Sequence, residues 1–365
     1  MDLNAMDQYW IWLSSIDGIG PKRFYHLISV FEDARTVWDM AGDEAMKFIG
    51  PAALKKIREC KSERYFYELF AKLEKAEVKP VTRLNAEYPE LLNNIYDPPP
   101  TLYIKGEADL CAEKMFSIVG SRRCTRDGKR AATEIAETLA REGVTVVSGM
   151  AHGIDTAAHE GALIGMGRTV AVLGCGADVI YPIENEALYH RIIENGGAIV
   201  SEYLPGTKPV PGNFPARNRI ISGMTQGTLI VEGAEKSGAM ITINDAVDQN
   251  RDVFAVPGSI YSSLSYTPNK LIVGGAVPVL SGWDILEHYR WAERPDAANA
   301  APRNKIELDP EDDQIVRPLL EQELSFDELA NIVDFPIAKL NSHLTMLELR
   351  GIIVKVPGGL YRAYL

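Results

Sequence analysis

Between residues 81 and 290, short apolar runs alternate with amphipathic stretches. The runs Phe116–Gly120, Val144–Gly149, Thr169–Gly174, Ala198–Glu202, Thr228–Glu232 and Asp252–Val256 predict strands, and helices are expected to begin near Asp127, Asp155, Glu184, Pro215 and Gly238. Runs such as Thr-Val-Ala-Val-Leu at 169–173 are almost continuously apolar, as in strands covered on both faces. Strand and helix in alternation predict an α/β fold, a Rossmann-like, doubly wound, mostly parallel sheet. Ligands of such sheets bind outside the carboxyl ends of the strands, and there this chain concentrates its glycines.

Different patterns flank this region. Residues 1–80 carry helical periodicity, broken by Ile16-Asp17-Gly18-Ile19-Gly20-Pro21-Lys22 and, more weakly, by Phe48-Ile49-Gly50-Pro51-Ala52. Glycines in the turn and proline at the first helical position resemble a helix-hairpin-helix, whose turn amides can hold a phosphate; a plain turn in a small helical bundle is the alternative. Residues 291–308, with Pro295, Pro302 and a run of Ala and Asn, read as a linker. In 309–365, helices are expected at Asp312–Glu321 and Pro336–Arg350, with a capping box from Ser325 to Glu328. Strands Ile352–Val356 and Leu360–Tyr364 around a Pro-Gly-Gly turn complete a C-terminal winged helix.

Composition narrows the function classes. Apolar residues make up 46% of the 365, and no stretch approaches the ~20 apolar residues of a membrane-spanning helix. Met1–Trp12 is acidic without a basic residue, unlike a secretory signal. Cys60, Cys111, Cys124 and Cys175 are scattered with no CxxC pair, so neither a zinc site nor a disulfide framework is expected, and the expected compartment is a reducing cytoplasm. Net charge is −12, the opposite of a generic DNA-coating protein. Lys/Arg against Asp/Glu counts are 12 to 13 in 1–80, 21 to 27 in 81–308 and 5 to 10 in 309–365. Any nucleic-acid site must therefore be a local patch on an acidic body.

Several constellations carry chemistry. Val119-Gly120-Ser121-Arg122-Arg123-Cys124-Thr125-Arg126 joins a strand to a helix and, with Lys129 and Arg130, forms the densest basic cluster. Hydroxyls and helix-start amides can donate to a phosphate there. The alternative is a solvated helix start, but positive charge at a helix N-terminus opposes the macrodipole, a conflict that an anion relieves. In Ser148–Asp155 with His159, a metal or catalytic set of His152, Asp155 and His159 competes with a simpler reading, in which Asp155 caps a helix and His159 lies between helix and sheet; no metal is expected. Asn213-Phe214-Pro215-Ala216-Arg217-Asn218-Arg219 offers an aromatic for base stacking and two arginines for phosphates. Against this, Phe214 can be core, and the arginines can pair with Glu232 or Glu202. Glu232–Thr242 ends a strand on an acid and opens a helix at Ser237-Gly238, another anion-friendly start. Val256-Pro257-Gly258-Ser259 closes the last main strand. Nucleotide fingerprints fail: Gly174-Cys175-Gly176 lacks a glycine at Val179, and Gly128-Lys129 has Arg123 where a P-loop begins with glycine. No cofactor is expected.

Taken in order, VGSRRCT, SGMAHGIDTAAH, TVAVLGCGADVIYP, SEYLPG, FPARNRIISG, VEGAEKSGAMIT and RDVFAVPGSI, over about residues 100–280, resemble the DNA-processing protein A family (DprA, also called Smf). The resemblance implies a single-stranded DNA binding protein, not an enzyme, that forms a homodimer and loads RecA during natural transformation. It implies a phosphate loop of Gly120, Ser121 and Arg122 with Arg123 and Thr125 close by, and a base-contacting Phe214 with Arg217 and Arg219; Ser237 and Gly238 join these as DNA-binding candidates. Two departures stand out. Pro211 replaces a lysine that some members carry three residues before the phenylalanine, with Lys208 nearby, and Thr267-Pro268 precedes Asn269 where a glycine is usual.

Two rival readings compete. A Rossmann-type nucleotide phosphoribohydrolase would use Glu232 and Arg219, but its PGGxGTxxE segment is absent. A transcription factor acting through the winged helix is opposed by that segment's acidity, because phosphate contacts dominate DNA affinity.

Overall fold

A computed structural model describes residues 5–40, 46–295, 308–356 and 359–363. The chain divides into two compact units, Met1–Arg294 and Pro295–Leu365. The first begins with five helices, α1 (Ala5–Ser15), α2 (Pro21–Phe31), α3 (Ala34–Met40), α4 (Met46–Cys60) and α5 (Glu63–Lys75). Both glycine-containing turns are visible: Gly18 has φ 87° and Gly20 caps α2 ahead of Pro21, and Gly50, at φ 78°, is non-helical and breaks α4 into two helical pieces ahead of Pro51.

There follow β1 (Lys79–Thr82), α6 (Glu90–Asn93), β2 (Thr101–Gly106), β3 (Met115–Val119), α7 (Arg126–Arg141), β4 (Thr145–Ser148), α8 (Ile154–Ile164), β5 (Thr169–Leu173), α9 (Glu186–Glu194), β6 (Ala198–Ser201), α10 (Asn213–Gly223), β7 (Gly227–Ile230), α11 (Ala239–Asp248), β8 (Asp252–Ala255), α12 (Tyr266–Val273), β9 (Val277–Pro278) and α13 (Gly282–His288). They build one sheet in the order β1-β2-β6-β5-β4-β3-β7-β8-β9. From β6 to β9 all pairings are parallel, and β2 joins antiparallel to both β6 and β1. The doubly wound, mostly parallel sheet is thus present and larger than the six expected strands, through the β1–β2 pair and the two-residue β9. The chain runs from β3 through β4 and β5 to β6, then crosses back to β7 on the other side of β3. This reversal places a crevice beyond the carboxyl ends of β3 and β7, where doubly wound sheets bind ligands.

Alternation along the strands explains the layers. Phe116, Ile118 and Val146 face α7, α8 and α13. Val119, Val147, Val170, Val172 and Ile230 face α10 and α11. Ala171, Leu173, Ile199 and Tyr103 join α9 and the N-terminal helices in one apolar cluster, with Trp12 and Phe24 fully enclosed. That cluster runs across residue 80, so helices and sheet form one body. Polar ties reinforce it: Trp10 Nε1 donates to Pro100 O at 2.7 Å, and Thr82 Oγ1 donates to Asp7 Oδ1 at 2.7 Å.

The second unit contains α14 (Pro310–Glu321), β10 (Leu324–Ser325), α15 (Phe326–Ile332), α16 (Ile337–Leu349), β11 (Ile353–Val356) and β12 (Leu360–Ala363). Its antiparallel sheet runs β10-β12-β11 around its own core of Ile315, Leu319, Leu340 and Leu344. The Ser325–Glu328 capping box is formed in both directions. Helices followed by a β-hairpin make this a winged-helix-like unit. Most of the expected linker, at 296–307, and part of the Pro-Gly-Gly turn, at 357–358, lie outside the described residues.

Candidate nucleic-acid interface

The crevice at the topological reversal is a cleft of about 710 Å³. Its walls bring together Gly120, Ser121, Arg122 and Arg123 from the β3–α7 loop, Phe214 and Arg217 from α10, and Ser237 and Gly238 from the start of α11. Thr125 and Arg219 do not line it.

The β3–α7 loop is held from several sides. Ser121 N donates to Glu232 O at 2.8 Å, and Ile154 N donates to Ser121 O at 3.3 Å. Ser121 Oγ accepts from Arg123 N at 3.1 Å, which leaves its own proton for an incoming acceptor. Thr125 caps α7: Oγ1 accepts from Gly128 N at 2.9 Å and donates to Glu232 Oε1 at 2.5 Å, while Thr125 N donates to Glu232 Oε2 at 2.8 Å. The Thr125 hydroxyl is therefore committed to the scaffold. Both oxygens of Glu232 are engaged as well, and its carboxylate braces the loop instead of facing the cleft.

Arg122 and Arg123 are exposed and form no ion pair among the described residues, although the Arg122 charge acts on Asp155. The Arg122 guanidinium sits 5.8 Å from the Phe214 ring centroid, a cation–π distance. Phe214 is half-buried, and Tyr181 lies beside it with ring centroids 5.4 Å apart. Gly174 makes room for the ring, since a Cβ there would lie 3.0 Å from Phe214 Cδ1. Asn213 Nδ2 donates to Gly174 O at 3.0 Å, fixing the start of α10 against the end of β5. Tyr181 was not singled out by the sequence pattern. Its signal is an aromatic before Pro182, in the loop that follows the Gly174-Cys175-Gly176 turn.

The two arginines of α10 have different environments. Arg217 is buried beneath the cleft; Nη1 donates to Gly149 O at 2.9 Å and also to Val172 O. Burial lowers its pKa to about 10, offset in part by Asp155. Asp155 lies in the first turn of α8, whose N-cap is Gly153, and its Oδ2 accepts from Gly149 N at 3.2 Å. Burial pushes the Asp155 carboxyl up to about 6, against the pull of the Arg217 guanidinium. Gly149 is obligatory between them, because a Cβ there would stand 2.6 Å from Arg217 Nη2 and 2.8 Å from Asp155 Oδ2. Arg219 turns away from the cleft: Nη2 meets Glu202 Oε2 at 2.6 Å and Nε meets Asp97 Oδ2 at 3.3 Å. Of the proposed pairings with Glu232 and Glu202, Arg219 makes the one with Glu202.

His159 is fully buried between α8 and the sheet, with Nδ1 2.7 Å from Thr169 Oγ1, and burial drives its pKa down to about 3. His152 is instead paired loosely with Glu184 at 3.6 Å. Among the described residues, no three His, Cys, Asp or Glu side chains group to hold a metal. The departures also acquire a geometry. Pro211 lines the cleft and Lys208 does not, so no lysine stands at that wall. Thr267 Oγ1 donates to Ala234 O at 2.7 Å, and Asn269 Nδ2 donates to Gly258 O at 2.9 Å, which closes the Val256–Ser259 turn onto α12.

Comparison with known proteins agrees with this architecture. Residues 79–290 match the family model for DNA recombination-mediator protein A, and 299–359 match the DprA winged helix domain. Protein Smf of Synechocystis sp. is 33% identical over 98% of this chain and 99% of its own length. The X-ray structure of DNA processing protein A from Streptococcus pneumoniae superposes with a TM-score of 0.66 at 33% identity, over 79% of this chain and 98% of that one. The Helicobacter pylori DNA processing protein A, a structure described for its single-stranded DNA binding mode, gives 0.53 at 30% identity, over 59% and 97%. The chain belongs to the DNA recombination-mediator protein A family, DprA/Smf.

Proposed function

We propose that this protein binds single-stranded DNA in the cleft between β3 and β7 and, as a homodimer in the cytoplasm, passes the strand to RecA during natural transformation. It acts by binding and not by turnover. The observation that carries this reading is the Arg122–Phe214 pair at the cleft wall. A cation stacked on a half-exposed ring offers an unpaired base a face to stack on and its phosphate a charge. Bases in a duplex are already stacked, so the arrangement favours single strands. Ser121 and the start of α11 at Ser237-Gly238 supply further donors for phosphate oxygens. The phosphoribohydrolase reading loses its acid, because both oxygens of Glu232 serve Thr125.

Fluorescence anisotropy of a labelled oligo-dT against a matched duplex, across salt, tests the reading. Wild type should prefer the single strand, with affinity that falls steeply with salt. Arg122→Ala should weaken oligo-dT binding about 5- to 100-fold and flatten the salt slope by about 0.7. Unchanged affinity and slope, or equal binding of duplex, would overturn it.

A further inference from the structure

A second ring-and-cation pair stands on the same edge of the sheet. Tyr96 is 89% exposed, and the Lys22 ammonium lies 5.5 Å from its ring centroid. Lys22 is exposed and has no carboxylate partner among the described residues. It opens α2 immediately after the Gly18–Pro21 turn, a motif that the cleft leaves unused. The chain that follows Tyr96 is pinned. Asp97 pairs with Arg219 at 3.3 Å, Tyr88 Oη donates to Pro99 O at 2.7 Å, and Trp10 Nε1 donates to Pro100 O at 2.7 Å. The backbone beside Tyr96 is thereby anchored while its ring stays open to solvent. Asp97, the nearest acid in sequence, has its charge reduced by Arg219, which it shares with Glu202.

The position relates this pair to the cleft. β2 runs antiparallel to β6 with Tyr103 opposite Ser201, so the chain enters β2 from the carboxyl end of β6, the cleft's own edge, while Ile95, next to Tyr96, packs against Gly223 at the end of α10. Five residues of α10, about 7.5 Å of helix rise, separate Phe214 from Arg219, whose guanidinium touches Asp97. We infer that Tyr96 and Lys22 form a second stacking station for the strand held by Arg122 and Phe214, so that single-stranded DNA leaving the cleft runs along α10. Tyr96 stacks a base and Lys22 meets an adjacent phosphate, a combination indifferent to sequence and closed to duplex.

The inference rests on the single-stranded DNA reading of the cleft and is tested by length. Affinities are measured for a ladder of dT oligonucleotides, from the shortest that the wild type retains upward. Tyr96→Ala should leave the shortest unaffected and weaken the longer ones about 5- to 100-fold, whereas Tyr96→Phe keeps wild-type affinity. Lys22→Ala should lower the salt slope by about 0.7, on the longer strands alone. In strands carrying 5-iododeoxyuridine at successive positions, photo-crosslinks to Tyr96 should map several nucleotides from those to Phe214. Wild-type behaviour of Tyr96→Ala at every length, or an equal loss at every length, would overturn the second station while leaving the cleft standing. A wild type that binds no oligo-dT of any length would overturn both.

Discussion

Arg217 and Arg219 stand two residues apart on α10, and the helix sends them to different tasks. Arg219 is held by Glu202 and Asp97, an ion pair that ties α10 to the end of β6 and to the loop before β2. Arg217 stays beneath the cleft, donating to backbone carbonyls with Asp155 for company. Of the basic residues lining the cleft, only Arg122 and Arg123 present a free exposed cation, so phosphate contact falls to them, and the buried pair sets the floor. The floor has a pH signature. The Asp155 pKa is about 6 in the folded chain, above the ~3.9 of an unfolded aspartate. Between these values the folded state binds more protons than the unfolded one, so this residue's contribution favours folding below about pH 4 and is lost as pH rises through 6. Asp155→Asn removes that dependence. Urea unfolding of both proteins from pH 4 to pH 7 should show the variant gaining about 2–3 kcal/mol relative to wild type over that interval. A constant difference would show that Asp155 ionises normally.

At the scale of elements, the β3–α7 and β4–α8 loops are set by how closely α7 and α8 pack. A Cβ on Gly161 of α8 would lie 2.3 Å from Thr133 O and 2.9 Å from Ala136 Cβ, and one on Gly165 would lie 2.6 Å from Glu137 O. Two glycines one turn apart let the helices approach backbone to backbone. Gly161→Ala must push them apart and should cost about 1–3 kcal/mol, read as a lower urea midpoint with an unchanged slope. The elements themselves were legible in the sequence, since strands buried on both faces are runs of apolar residues and helices follow each glycine turn. The parallel sheet and the cleft's basic loop follow from that pattern. The β1–β2 pair was not legible, because Lys79-Pro80-Val81-Thr82 is short and its pairing with Thr101–Gly106 spans a proline-rich connection. Nor does local pattern reveal that Thr125 bonds Glu232, 107 residues away, or that Arg219 finds Asp97. Pairings between distant segments decide which polar residues face the cleft and which hold it in shape, which is why Thr125 and Arg219 read as ligand contacts from sequence while the fold engages both internally.

For the whole molecule, a net charge of −12 has to be reconciled with a site for a polyanion. The first unit surrounds its cleft with two exposed arginines whose charge is not cancelled by a paired carboxylate, and at the short screening length of physiological salt such a patch acts on its own neighbourhood, largely independent of distant acids. The second unit adds 10 acidic residues to 5 basic ones over 309–365. Its described basic side chains are largely taken: Lys339 pairs with Glu311, Arg350 with Asp312, Arg317 with Asp313 and Arg362 with Glu323. Helix α16 presents exposed Ile337, Met346 and Leu349 instead of cations, a surface suited to protein contact and not to phosphate. Each unit has its own core, so residues 1–294 should fold alone. That fragment, titrated with oligo-dT by anisotropy at physiological salt, should match the full chain within about twofold and keep its salt slope, because the cations that set both lie in the first unit. A large loss of affinity on removing 295–365 would instead make the acidic winged helix part of the DNA site.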